Sequence, residues 1–467
     1  MIERTHLEMS PSGKRPWLAF AAVAILSVLV LFLPLQIRRP AVDAVREKSG
    51  TNSQQPASSA VAPRANPFAR NRPRMEGLAS EMPPEQVVSN KVSQFARNRR
   101  AVVEAFAKKN GIAVGADVQR FFDALEAGDW AQADGLFKGW EKRFRDLHTH
   151  DGNAVDEPPP VDLSLWQAVK ETYHVAETTH EWPAQKLLDY GNAVLNSLRP
   201  GMVYVSGTDS GHFIPTLLNE TSDGERHVVL THAAFADGSY LKYAEFLYGE
   251  RLQTLTMEDS QTSFQDYMNE AQQRLAKNQL RPGEDIKVVD NRVQVSGQVA
   301  VMAINEGLLN RLMQKNPDLN FALEEFYPLK STYAAAVPLG PILELRASDE
   351  PLSREQAQQS VNYWKTTLQN LSDESPLSET RKAYASMASA QGNLLALRAQ
   401  IAEAEQAYRI AREMSPSYPG AVSSLYQLLT QTGRRDEAEA MLNEFSRDNP
   451  DQSVAVRNIR APSTTPQ

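Results

Sequence analysis

LRPGMVYVSGTDSGHFIPTLLNETSDGERHVVLTH, residues Leu198–His232, is the stretch whose reading decides the fold. Met202–Ser206 is an apolar, β-rich run entered through Pro200-Gly201, and His227–Leu230 is another. Between them lie the polar loop Gly207-Thr208-Asp209-Ser210-Gly211-His212 and a helix carrying Leu217 and Leu218. Strand, helix and strand in so short a stretch predict a central α/β or α+β domain. Such proteins hold ligands outside the carboxyl ends of their strands. Thr208, Asp209, Ser210 and His212 are therefore the candidate ligand-binding residues. Asp209 could accept from a ligand hydroxyl or hold a divalent ion, and the helix N-terminus favours a phosphate or other anion. The same Thr208, Asp209 and Ser210 also read as a plain helix cap. Gly207-Thr-Asp-Ser210-Gly211 is not G-x-S-x-G, since no glycine stands two residues before the serine, so a serine-hydrolase elbow fails on spacing.

Outward from this centre, residues 156–350 read as one mixed α/β block. Leu163–Thr172 and Pro183–Leu198 are amphipathic helices. Ala233–Leu247 is aromatic and irregular, and Phe264–Leu275 is a helix. Ile286–Val295 alternates around Asp290-Asn291 as a hairpin. Asn305 is placed to cap a helix carrying Leu308, Leu309 and Leu312, and Phe321–Tyr327 and Ala334–Leu345 close the block. Trp182 offers a face for a sugar, or a core aromatic. Asn219-Glu-Thr221 and Asn370-Leu-Ser372 fit the glycosylation acceptor pattern.

Residues 351–460 are helical and repeat. Ala404, Tyr408 and Pro416 recur as Ala438, Leu442 and Pro450, each thirty-four residues on, the tetratricopeptide period. Gly392, Ala404, Tyr408, Ala411 and Pro416 resemble that family's Gly, Ala, Phe, Ala and Pro positions. Small residues let the paired helices approach, and proline ends the second. The resemblance implies helical hairpins that bind a protein partner.

On the other side, residues 86–155 read as helical. Val118–Leu125 and the helix through Ala133 and Phe137 are joined by Gly128-Asp129-Trp130 and are similar to a single tetratricopeptide unit. Asp146, His148, His150 and Asp151 crowd one loop, and an H-x-H pair with nearby carboxylates can bind a transition metal. Without a third spaced histidine or a rigid strand beneath it, a solvated loop is favoured and no metal site is expected. Residues 38–85 are rich in Pro, Ser, Ala, Asn and Gln and read as a flexible tether. This tether is basic, with eight Lys or Arg and two acidic residues between Arg38 and Arg74. Phe-Ala-Arg-Asn-Arg occurs at Phe68–Arg72 and again at Phe95–Arg99, either as a membrane-surface patch or as linker and helix face.

Residues 1–15 form a short polar tail. Residues 16–37, Pro16 to Ile37, carry no charge over 22 residues, and as a helix would rise about 33 Å, enough to span a bilayer core. A single transmembrane helix is expected, with the bulk of the chain outside the cytoplasm. The net charge is -8, which argues against a nucleic-acid partner. The absence of cysteine excludes disulfides, thiolate metal sites and a cysteine nucleophile. No G-x-G-x-x-G, Walker A or H-E-x-x-H occurs, and no cofactor is expected.

A second resemblance covers about Trp182 to Arg346. Its order is the Gly207-Thr-Asp-Ser-Gly-His-Phe213 loop, His227-Val-Val-Leu-Thr231, Val295–Met302, Glu324-Glu-Phe-Tyr-Pro-Leu329 and Pro338–Ile342. This resembles the soluble C-terminal portion of bacterial multi-spanning proteins related to protein O-mannosyltransferases. Gly207, Asp209 and Phe213 keep that loop's pattern, while Ser210 and His212 depart from it. With one apolar span the multi-spanning catalytic part is missing, so transferase activity does not carry over. The resemblance implies an extracytoplasmic companion module, with a small-molecule or glycan ligand possible at the loop.

Overall fold

The computed structural model describes residues 82–149, 161–281, 284–289, 292–325, 336–345 and 351–460. The expected tail, the apolar span and the tether up to residue 81 fall outside these residues, as do His150 and Asp151. Pro84 and Glu85, read as the end of the tether, instead open a helix. Among the described residues no helix is long and apolar enough to cross a membrane.

The sheet is organised on β1 (Val203–Ser206), which is buried along its whole length. It pairs in parallel with β2 (Val228–Thr231) on one side and β5 (Phe321–Leu323) on the other. The antiparallel strands β6 (Ala336–Leu339) and β7 (Ile342–Leu345) extend it in the order β2-β1-β5-β7-β6. Successive side chains alternate between faces. Val203, Val205, Leu230 and Leu323 thus enter one apolar core, while Tyr204, Val229 and Ala322 enter another.

The first core is covered by α1 (Pro84–Asn110), α2 (Ala116–Ala127), α3 (Trp130–Thr149) and α4 (Leu163–Glu181), joined by α7 (Gly238–Tyr248), α8 (Met257–Ala276) and α9 (Gln298–Lys315). The second takes α5 (Ala184–Leu195) and α6 (Asp209–Glu220), then continues without a break into the C-terminal helices. The expected hairpin appears as β3 (Asp285–Val289) with β4 (Arg292–Ser296), apart from the main sheet.

Three local readings need correction. The segment read as irregular contains α7, whose aromatic residues Tyr240, Tyr243 and Tyr248 are its buried face and whose N-cap is Asp237. Helix α8 begins at Met257, ahead of the expected start, because Thr256 and Asp259 form a reciprocal capping box. Asn305 does not cap a helix. It lies buried inside α9, which starts after Gly297 at φ 92, a backbone conformation that glycine adopts without a Cβ penalty.

The C-terminal third begins with α10 (Arg354–Asn370). Two helical hairpins follow, α11 (Glu379–Leu397) with α12 (Ile401–Met414) and α13 (Pro419–Gln431) with α14 (Arg435–Asp448), and α15 (Ser453–Arg460) closes the end. Gly392 lies under the Tyr408 ring, where a Cβ would come within 2.5 Å of Tyr408 Cε1. Ala404, Ala411, Ala438 and Leu442 are fully buried between helices. Pro416 and Pro450 stand just after α12 and α14, exposed.

This array is welded to the sheet. The buried Gln391 amide accepts from Ser360 Oγ and Trp364 Nε1 (2.9 Å) on α10, and donates to Gly340 O (2.7 Å) and Ile342 O (3.0 Å). Arg381 donates to four carbonyls, those of Met414, Leu371, Glu374 and Glu413, closing the ends of α10 and α12.

Candidate functional site

The parallel strands end together, with Ser206 opposite Thr231 and Val205 opposite Leu323. The next residues are Gly207-Thr208, His232 and Glu324-Glu325. From β1 the chain moves to β2 on one side, while β5 pairs on the other. The gap between β1 and β5 is therefore a topological switch point, the place where open α/β sheets bind ligands.

Its centre is occupied by the protein's own Glu324. This carboxylate, on a residue 1% exposed, accepts from the backbone N–H groups of Gly207 (2.9 Å) and Thr208 (3.0 Å). It also accepts from Thr208 Oγ1 and from Tyr190 OH (3.1 Å). Thr208 Oγ1 in turn caps α6 by accepting from Gly211 N at 3.0 Å. A Cβ on Gly211 would land on the Glu324 carboxyl group, so glycine is required there by close approach. The donors that would cradle an external anion are thus already engaged. Four residues on, Pro215 has no N–H to give Gly211 O. Tyr204 OH donates to that carbonyl instead, at 3.0 Å.

The four residues expected from sequence separate here. Thr208 joins Glu324. Asp209 opens the first turn of α6, with one edge in solvent and the other within electrostatic reach of His174, His212, Glu177 and Lys170. Burial, reinforced by Glu177, raises its carboxyl against the histidines and Lys170; the exposed edge tempers the rise. Ser210 is half-buried. His212 turns inward, its Nε2 3.3 Å from Glu171 Oε1.

That contact belongs to a buried charge network absent from the sequence reading. Glu171 Oε2 meets Arg99 Nη2 at 3.0 Å and accepts from Tyr243 OH at 2.6 Å. Arg99 also lies 3.6 Å from Glu220 and stacks 4.9 Å from the Phe95 ring centroid. Burial pulls the Glu171 carboxyl upward, but Arg99, His212 and Tyr243 outweigh it and hold it down at about 2. The second Phe-Ala-Arg-Asn-Arg string is therefore a helix whose Phe95 and Arg99, each 1% exposed, enter the core while Arg97 faces solvent.

Beside Glu324, Glu325 accepts from Ser386 Oγ of α11 at 2.9 Å. Burial first, and then Glu324, push its carboxyl up to about 7, against the Ser386 bond. Its surface is not wholly closed, and a part still meets solvent. His232, across Gly207, is pushed down to about 3 by burial. Among the described residues no cluster has the composition of a metal site. Trp182 is core, edge-on to Tyr190 with ring centroids 5.2 Å apart.

Glu324 and Glu325 stand in the sequence as two acids after a short apolar run. Their meaning depends on β5 pairing in parallel with β1, across more than a hundred residues. Glu171 had no marker beyond its place on an amphipathic helix.

The tetratricopeptide repeat family matches residues 395–461, which take in α12 to α15. No curated protein and no solved structure matches the chain, and the resemblance to mannosyltransferase-related proteins finds no relative among them.

Proposed function

We propose that this protein is a membrane-anchored interaction scaffold of the cell envelope, acting on a protein partner through its C-terminal repeats. The observation that carries the reading is the tetratricopeptide match over residues 395–461. Stacked hairpins of this kind form extended surfaces that bind protein partners. The uncharged run from Pro16 to Ile37 is the support for the anchor, with the bulk of the chain outside the cytoplasm. Helix α11 is largely buried, packed on α12 and α13 on the array side and touching α5, α10 and the β6–β7 edge on the other. The open surface for a partner is then on α13 to α15, where Gln427, Thr430 and Val454 are exposed. Crosslinking of the full chain in its native membrane, read by mass spectrometry, tests this. One protein should crosslink to residues 419–460, and Gln427→Glu with Thr430→Glu should abolish it. A crosslinking pattern that ignores these substitutions would remove the repeats as the binding surface.

A second reading places a small ligand at the carboxyl ends of the parallel strands, beside Thr208–His212. The crowded Asp209 with His174 and Lys170 favours it. Since Glu324 takes the backbone donors, a hydroxyl-bearing ligand such as a glycan suits this edge better than a lipid phosphate or nucleotide sugar. Thermal shift of the full chain with an oligosaccharide panel should yield a hit that Asp209→Ala loses without a change in the unliganded melt. Equal binding by that variant would remove the loop.

A further inference from the structure

The first repeat helix meets the end of β5 through Ser386. Ser386 Oγ on α11 donates to Glu325 Oε2 at 2.9 Å, and Tyr418 OH, from the turn into α13, donates to Ser386 Oγ at 3.4 Å. Glu324 cannot move aside, because its four hydrogen bonds hold the loop entering α6. The bare Gly207 leaves the space that Glu325 fills. A Cβ there would sit 2.6 Å from Glu325 Cγ and 2.8 Å from His232 Nε2.

The described groups facing Glu325 are Tyr204 from β1, His232 after β2, Glu324 after β5, Ser386 from α11, and Tyr418. Among the described residues none of these is lysine or arginine. Burial keeps His232 neutral at physiological pH and pushes the Tyr204 and Tyr418 phenols upward, so they stay neutral too. A charge on Glu325 would therefore face the Glu324 carboxyl group across a poorly solvated gap, with no cation among these described neighbours to offset it.

We propose that Glu325 is a proton-operated latch that holds the first repeat helix against the sheet when protonated and loosens it when ionised. A protonated carboxyl accepts the Ser386 hydroxyl with no charge to desolvate. An ionised one is held more strongly by Ser386, but burial and Glu324 outweigh that bond, so it gains by leaving for water and the Ser386 link to α11 goes with it. The sign follows from the upward displacement to about 7. The latched state is favoured most at low pH, and the preference is lost as pH rises through about 7. Resting on the scaffold reading, the latch regulates the array: loosening α11 frees repeat surface that the chain itself covers.

The test needs no partner, so its failure is distinct from a failure of the scaffold reading. Hydrogen exchange of the full chain is followed peptide by peptide from pH 5 to pH 8 and corrected for the intrinsic pH dependence of exchange. The opening equilibrium of peptides within residues 383–390 should rise by about tenfold or more, while α1 to α3 stay level. Glu325→Gln should remain protected across the range, and Ser386→Ala should open α11 already at pH 5. Infrared difference spectra should show a carboxylic acid band that titrates near pH 7 and is missing in Glu325→Gln. Unchanged exchange in the wild type, or the same pH response in Glu325→Gln, overturns the latch. Should Glu325→Gln not fold, the wild-type titration and Ser386→Ala decide.

Discussion

Glu171 is the residue on which the N-terminal helices and the α/β unit converge. Its carboxylate joins Arg99 of α1, His212 of α6 and Tyr243 of α7. Removing one member strands another buried charge, which is costlier than the pair itself is worth. Glu171→Ala is expected to destabilise the chain by about 3–5 kcal/mol, measured as a fall in the urea midpoint. Arg99→Met with Glu171→Leu should recover part of that loss, since no guanidinium is left unpaired, while the Tyr243 hydroxyl, His212 and Glu220 each still lose a partner. The pH dependence has a definite sign. The folded carboxyl is held at about 2, below its ordinary 4.5. It therefore stabilises the fold above the ordinary value, and this is lost as pH falls from there toward 2. Acid titration of the wild type should show the decline, and Glu171→Gln should flatten it. An equally steep acid limb in that variant would place the acid sensitivity elsewhere. Glu171 and Glu325 thus respond in opposite directions, because one faces a guanidinium and the other a carboxylate.

At the scale of elements, helix α11 departs most from what a repeat helix does in isolation. Twelve of its residues are buried, including Thr380, Arg381, Ser389 and Gln391. Polar groups so placed must be satisfied, and Gln391 is, through α10 and the β6–β7 turn. Gln391→Leu keeps the volume but orphans the Trp364 N–H and two carbonyls. A loss of about 3 kcal/mol is expected, read from the thermal midpoint, with Gln391→Glu no better because it cannot donate to Gly340 O and Ile342 O. A change under about 0.5 kcal/mol would mean water replaces the amide. The sequence made the repeats legible because their constraint is local: Gly392 meets Tyr408 within one hairpin. Strand β1 was legible for the same reason, as an apolar run behind Pro200-Gly201. Glu324 was not, since its partners Gly207, Thr208 and Tyr190 lie more than a hundred residues away. Helix α7 was missed because tyrosines weaken helix propensity, and burial against the first core overrides that.

For the whole molecule the consequence is that the repeats are a layer of the fold and not an appendage. One apolar core runs from Val88 through Tyr204 and Trp364 to Ile459. Cutting near residue 352 would expose the β6–β7 part of the sheet, with Val337 and Ile342, which α10 and α11 cover, together with the facing side of α11. Neither part then keeps enough buried surface to offset its conformational entropy. Two fragments, residues 82–352 and 353–467, are each expected to lack a cooperative thermal transition when produced alone. Co-expressed, they should associate into a soluble complex whose melt approaches that of the uncut chain. Weakening the seam should act on both parts at once. In the uncut chain, Trp364→Ala should lower a single transition by an amount corresponding to about 3–5 kcal/mol, leaving no intact α/β portion behind. Two separate transitions in the wild-type chain, or a cooperative fold for residues 353–467 alone, would make the array an independent module. A deletion of the repeats could then report on partner binding, whereas in a continuous core it reports chiefly on the collapse of the sheet.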